Sequence, residues 1–160
     1  MAAPPVSIVV AEPTPVAVVI VQTTFAQLPQ EMRRCLDLVH AAAGSGAIRP
    51  RGHAVAIYRR LGAGGTVEAS IGMQVAAPFE AVGEVRCRHT PAGRAATLTH
   101  VGPYDGLAAT HTDILEWATD AGAELAGVSW EVYGDWEEDP AKRVTEVYHL
   151  LDIEPSVVDY

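Results

Sequence analysis

A carboxylate set among aromatic side chains is the grouping in this sequence best suited to bind or act on another molecule. It occurs in RVTEVYHLL, residues 143–151, where Val144, Val147, Tyr148, Leu150 and Leu151 have the composition of a half-buried strand and Glu146 does not. An ionised carboxylate is costly to take out of water unless something pairs with it, so Glu146 either points to solvent or is held for a purpose. Two-residue alternation puts Val144, Glu146, Tyr148 and Leu150 on one strand face, with Thr145, Val147, His149 and Leu151 on the other. If the first face lines a groove, Glu146 lies on its floor between aromatic walls. Such a groove suits an apolar, flat or cationic ligand, since each aromatic face attracts a cation by about 0.5 to 2 kcal/mol and the carboxylate supplies the opposite charge.

Other residues could furnish the walls. SWEVYGDW, residues 129–136, reads as a strand carrying Trp130, Tyr133 and Trp136. Trp130 and Trp136 share a face with Val132, so they either face the groove or pack under a helix; in the second case Tyr133 and Glu131 point the other way, towards the groove or solvent. Tyr104 follows Gly102-Pro103 where a helix begins, either as a wall or as a staple of that turn. Glu68 stands in a strand-like run and is either a groove residue or an exposed hairpin residue. The bland reading of Trp117 is core. The six histidines show no ligand spacing, which predicts no metal site, and neither G-x-S-x-G nor G-x-G-x-x-G is present.

The elements that must position these residues follow from hydrophobic period. A strand over residues 16–23 precedes a helix whose Leu28, Met32, Cys35, Leu36 and Val39 share one face, with Pro29 suited to its first turn and Gly44 to its stop. HAVAIYRRL (53–61) and TVEASIGMQV (66–75) read as strands joined by a GAGG hairpin turn. The order then recurs: strands within residues 83–102 around Pro-Ala-Gly, a helix over residues 104–121 with Leu107, His111, Ile114, Leu115 and Ala118 inward and Gly122 as its stop, and the two strands already described. Laying the halves over each other matches Ile57-Tyr58 with Val132-Tyr133 and Val67-Glu68 with Thr145-Glu146. The expected architecture is α+β: one domain over 1–160, built of duplicated strand-helix-strand-strand modules (about 14–78 and 83–153), whose antiparallel sheets pack about a pseudo-twofold axis and leave a central groove.

Composition excludes several classes. With 160 residues and an apolar share of 49%, the chain can fill one core. Arg33 is the first basic residue and prolines interrupt the apolar N-terminal stretch, which predicts neither signal peptide nor membrane helix. Cys35 and Cys87 are too few for a disulfide framework and fit a reducing cytoplasm. The net charge of −9 is lopsided: residues 1–104 hold nine Lys+Arg against six Asp+Glu, residues 105–160 two against fourteen. The acidic part would repel phosphate, so direct nucleic-acid binding is disfavoured, while a cationic ligand or basic protein partner is compatible. Much of this charge can equally be a solvated surface.

VRCRHTPAGRAATLTHVGPYDGL, a Trp-containing helix, SWEVYGDWEEDP and VTEVYHLL, in that order, resemble the GyrI-like family, with His100-Val101-Gly102-Pro103-Tyr104 as the strongest motif. The family supplies the effector-binding parts of multidrug-sensing MerR-type and AraC-type regulators and also occurs as stand-alone proteins. The resemblance implies the duplicated fold and a central groove for small aromatic, hydrophobic or cationic molecules, without cofactor. It implies Glu146 as the pocket carboxylate, Tyr104 and Tyr133 beside it, Tyr58 through the repeat, and Trp130, Trp136 and Tyr148 through proximity in sequence. No DNA-binding region precedes the two modules in this sequence. Three functions stay open: sensing or sequestration of drug-like molecules; hydrolysis of the cyclopropane of DNA-alkylating compounds, with Glu146 and Tyr104 as acting groups; and protein interaction of gyrase-inhibitor type.

Overall fold

The computed structural model describes residues 6–61 and 65–152, so most of the GAGG turn lies outside the described residues. Eight strands and two helices follow one another as β1 (Ser7–Ala11), β2 (Pro15–Thr24), α1 (Leu28–Gly44), β3 (Pro50–Arg60), β4 (Thr66–Val75), β5 (Arg86–His89), β6 (Gly93–Val101), α2 (Leu107–Ala121), β7 (Leu125–Tyr133) and β8 (Val144–Leu151). Pro29 occupies the first turn of α1, where its missing N–H costs nothing, and the helix ends at Gly44. A single 3-10 turn, Tyr104–Gly106, leads into α2, which Gly122 stops in the left-handed conformation at φ 70°.

All strand pairs are antiparallel and form one sheet in the order β1-β6-β8-β7-β3-β4-β2-β5. The sequence predicted two sheets. The β3–β7 pair, Val55 to Arg59 against Val132 to Val128, joins them into one. Strand-helix-strand-strand order occurs in β2-α1-β3-β4 and in β6-α2-β7-β8, and these sets extend outward from the β3–β7 seam. Register revises one expected match: Tyr58 stands opposite Ala69 and Tyr133 opposite Thr145, so with the tyrosines aligned Ser70, rather than Glu68, falls at the place of Glu146. The strands flanking Pro-Ala-Gly do not form a hairpin; β5 pairs with β2, and β6 with β1 and β8.

The sheet separates two interiors. On one face Val9 and Ala11 of β1 share a cluster with Val16 and Val18 of β2, which means the sheet curls until strands near its two edges meet, with Val55, Ile57, Trp130 and Leu150 between them. The other face carries the helices. Cys35, Val39 and Ala42 of α1 pack on Ala17, Val19, Ala56 and Ile71, while Leu107 and Ile114 of α2 pack on Ala96, Leu98 and Val147. Each buried valine, leucine or isoleucine among them stabilises by about 1.5 to 3 kcal/mol, and together these contacts fix the helices to the two ends of one sheet face. What lies between them, over β3 and β7, is the candidate site.

Candidate functional site

A cavity of about 1100 Å³ opens between α1 and α2. Its walls are the helix flanks beside the buried stripes: Leu28, Met32, Leu36 and His40 at four-residue spacing along α1, and Leu107, His111 and Leu115 along α2. Its floor is one face of the central strands, Tyr58 and Arg60 on β3, Ser129, Glu131 and Tyr133 on β7, and His149 on β8. Phe25, Tyr104 and Trp136 complete the aromatic lining.

One buried carboxylate organises the floor. Glu131 is 4% exposed and stands opposite Ala56, whose methyl leaves room for it. Tyr133, two residues along the same strand, and Tyr58, diagonal across β3, therefore reach it from the same face. Tyr58 donates its hydroxyl to Glu131 Oε1 at 2.8 Å, and Tyr133 donates to the same oxygen. His111 Nε2 meets Oε2 at 2.8 Å, and its Nδ1 meets His149 Nε2 at 2.8 Å. Burial pushes the Glu131 carboxyl up, but the contacts from His111, Tyr133 and Tyr58 outweigh it and leave the group below the usual carboxylate range. Glu131 is thus ionised, and both tyrosine hydroxyls, held well above their usual range by burial first, remain donors. Burial, then repulsion from His111 and Arg60, lowers His149 to about 4, so that this ring is neutral.

The rim is built by the sequence's strongest motif. His100 Nε2 contacts the Pro103 carbonyl oxygen at 2.8 Å and its Nδ1 contacts Thr110 Oγ1 at 3.0 Å, fastening the turn to the first turn of α2. Gly106 is required beneath that ring, because a Cβ there would come within 2.7 Å of His100 Cε1. The turn presents Tyr104 edge-on to Tyr133 at 5.7 Å, and the Arg143 guanidinium lies over both Tyr104, at 5.1 Å, and Trp136, at 4.3 Å.

The structure brings Tyr58, Tyr104, Tyr133 and Trp136 together around the cavity and leaves the other expected residues elsewhere. Glu146 is exposed on the opposite sheet face, where its Oε2 accepts from Tyr148 Oη at 2.6 Å. Tyr148 stacks on Trp130 at 5.0 Å in the interior away from the helices. Glu68 pairs with Arg88 at 2.9 Å beside a smaller hollow on that same side. The physical reason is parity. The groove lies on the helix-bearing face, and the residues of β8 that reach this face are Thr145, Val147, His149 and Leu151. Sequence reasoning expected helices and groove on opposite faces, and so it undervalued Glu131, His111 and His149. The signal for them was present: Glu131 alternates with Tyr133, and His111 occupies the apolar stripe of α2. Among the described residues no group of three His, Cys, Asp or Glu is placed to hold a metal ion. His111 binds its two neighbours through opposite ring nitrogens, so the three side chains form a chain rather than converge. Nor is any described helix long and apolar enough to cross a membrane.

These features define an open antiparallel sheet with a groove between two helices. The sequence matches the GyrI-like small molecule binding domain over residues 4–151, and the chain belongs to that family. Its fold is similar to that of the EcmrR C-terminal domain (TM-score 0.78, 16% identity, covering 94% of this chain and 98% of that one). It is similar also to SAV2435, whose structure holds tetraphenylphosphonium (TM-score 0.69, 7% identity, 92% and 94% covered). A hydrolase from Listeria innocua shares the fold more loosely (TM-score 0.56, 11% identity, 92% and 91% covered). A comparison with curated protein sequences finds no significant match.

Proposed function

We propose that the chain binds aromatic, singly charged cations in the groove between α1 and α2 and so senses or sequesters them, with Glu131 as counter-charge. The observation that carries this reading is the ionised carboxylate of Glu131, 4% exposed, held by two tyrosine hydroxyls at the floor of an apolar, aromatic cavity. A tetraaryl cation bound by SAV2435 on the same fold is consistent with it. Magnitudes separate two contributions. Burying about 200 Å² of apolar ligand surface is worth roughly 5 kcal/mol and is the same for a neutral molecule of the same shape. A charge-assisted contact adds about 1.5 to 3 kcal/mol for the cation alone. Titration calorimetry with tetraphenylphosphonium and the uncharged triphenylphosphine oxide tests this. Glu131→Gln should weaken the cation about 10- to 100-fold and the neutral compound less than about threefold. Equal losses for both would show that Glu131 is not the charge partner.

A second reading is favoured by one contact, that of His111 with Glu131 at 2.8 Å, because an imidazole and a carboxylate in one cavity can together take and return a proton. In a hydrolase for strained cyclopropanes the pair would deprotonate water as it attacks a ring carbon, and the breaking carbon–carbon bond would receive that proton on its other carbon. Tyr104 stands at the rim of the same cavity. Many turnovers with a cyclopropane alkylator, cut about 100-fold by Glu131→Gln, would establish this reading; stoichiometric retention of unchanged compound would exclude it.

A further inference from the structure

We propose that His111 is the internal counter-cation of Glu131, and that a cationic ligand enters the groove by taking its place, so that each positive charge bound releases a proton. This inference rests on the cation-binding reading above and specifies how the site is regulated and what it selects.

The geometry supplies the exchange. His111 projects from α2 over the floor, and its Nε2 stands 2.8 Å from the Glu131 oxygen that the tyrosines leave free. Its other nitrogen meets His149 at 2.8 Å, and that contact can be made with either partner donating. When His111 is neutral, His149 Nε2–H donates to His111 Nδ1 and His111 Nε2–H donates to Glu131. When His111 carries a second proton, its Nδ1–H donates to the neutral His149 instead. The histidine therefore keeps both contacts in either state of charge, and protonation costs no broken hydrogen bond.

Among the described residues, several charged or titratable groups line the cavity around that proton. Glu131, from β7, holds it, while Arg60, from β3, disfavours positive charge on the adjacent His149. His149, from β8, is held neutral by burial and by these cations, with a pKa lowered to about 4, and so does not compete for the proton. Tyr58 and Tyr133 stay un-ionised, and His40 and Asp105 stand elsewhere on the cavity wall. With His111 protonated, Glu131 is already neutralised. A ligand cation about 5 Å from that imidazolium would meet repulsion worth on the order of 100-fold in affinity at the screening typical of partly buried sites. Loss of the proton removes the repulsion and leaves the carboxylate to the ligand. The groove then favours cations at higher pH, and is indifferent to pH for uncharged molecules of the same shape.

The test is calorimetric titration of the intact chain with tetraphenylphosphonium, and separately with triphenylphosphine oxide, over roughly pH 5 to 8.5, the range in which histidine ordinarily changes charge. Each pH is repeated in buffers of different ionisation enthalpy to count protons. The expected result is tightening of the phosphonium as pH rises, by up to about tenfold per pH unit, with up to one proton released per cation bound and none for the oxide. In His111→Gln, which keeps a donor for Glu131 but cannot charge, proton release should vanish and affinity at the acid end should exceed that of the unaltered chain by about tenfold or more. Phosphonium binding that is independent of pH and releases no proton would overturn the inference while leaving the groove reading standing. So would proton release that persists in His111→Gln, or release as large with the oxide as with the phosphonium. Failure of both compounds to bind at any pH would overturn the reading itself and the inference with it.

Discussion

The tripeptide Glu-Val-Tyr occurs twice, as Glu131-Val132-Tyr133 on β7 and Glu146-Val147-Tyr148 on β8, and the two copies lie side by side in the sheet with opposite environments. Antiparallel register sets Glu131 against Val147 and Val132 against Glu146, an offset of one residue, and in a pleated sheet one residue exchanges the faces. Glu131 faces the helices, where it is buried and accepts three hydrogen bonds, whereas Glu146 faces away, exposed, and accepts one. In each copy the tyrosine hydroxyl donates to the glutamate two residues before it. Local sequence therefore makes the carboxylate–tyrosine pair, and tertiary register decides whether that pair becomes a site.

The comparison can be broken most sharply through ligand affinity. Glu131→Gln should cost a tetraaryl cation about 10- to 100-fold, and Glu146→Gln less than about twofold, since the latter carboxylate is exposed and does not line the groove. Stability against pH sharpens it next. The folded carboxyl of Glu131 is depressed below its unfolded value, so its contribution is complete above the ordinary carboxylate range and is lost as pH falls through the folded pKa. His149 acts in the same direction. Its folded pKa of about 4 lies below the ordinary histidine value of about 6.5, so the unfolded chain binds more protons and stability falls as pH drops through that interval, by at most about 1.4 kcal/mol per pH unit. Denaturant titrations from about pH 7 to 4 should show this slope, and His149→Gln should flatten it.

Removing the hydroxyls gives a smaller contrast. Tyr58→Phe and Tyr133→Phe should each destabilise the chain by about 1 to 2 kcal/mol near neutral pH in thermal unfolding, because each strips a donor from a buried anion. Tyr148→Phe should cost no more than about 0.5 kcal/mol, its carboxylate partner being hydrated. An effect of the opposite sign is expected at Thr145, fully buried on the helix-bearing face, whose Oγ1 has no hydrogen-bond partner among the described residues. Thr145→Val keeps the shape and removes the unpaired hydroxyl, and should raise the unfolding free energy by about 0.5 to 1 kcal/mol.

Much of the fold was legible because its signals are local. The expected bounds of β4 and α1 agree with those observed, since apolar periodicity and a Pro or Gly at the helix ends act over a few residues. β1 was hidden by the prolines on either side of it. β7 begins at Leu125, four residues before the expected start, because Ala126 and Gly127 lack strand composition and Gly127, at φ 84°, lies within an irregularity in the pairing with β8. The cavity's lining was legible only in part. Tyr58, Tyr104, Tyr133 and Trp136 line the cavity, and the glutamate that faces it is Glu131, whereas Glu146 lies on the opposite sheet face. Strand parity gives only which residues share a face. Which face lies under the helices depends on pairing between residues far apart in sequence, as at the β3–β7 seam, and no short stretch encodes it.

The central claim is that a cation sits beside Glu131, and a crystal structure of the chain with tetraphenylarsonium tests it most directly, because anomalous scattering locates the arsenic whatever the density of the rings. The account predicts one arsenic between α1 and α2, bounded by Tyr58, Tyr104 and Tyr133, with Glu131 as the nearest carboxylate. Arsenic on the opposite sheet face beside Glu146 and Tyr148, or an empty groove in crystals grown at saturating arsonium, would contradict it.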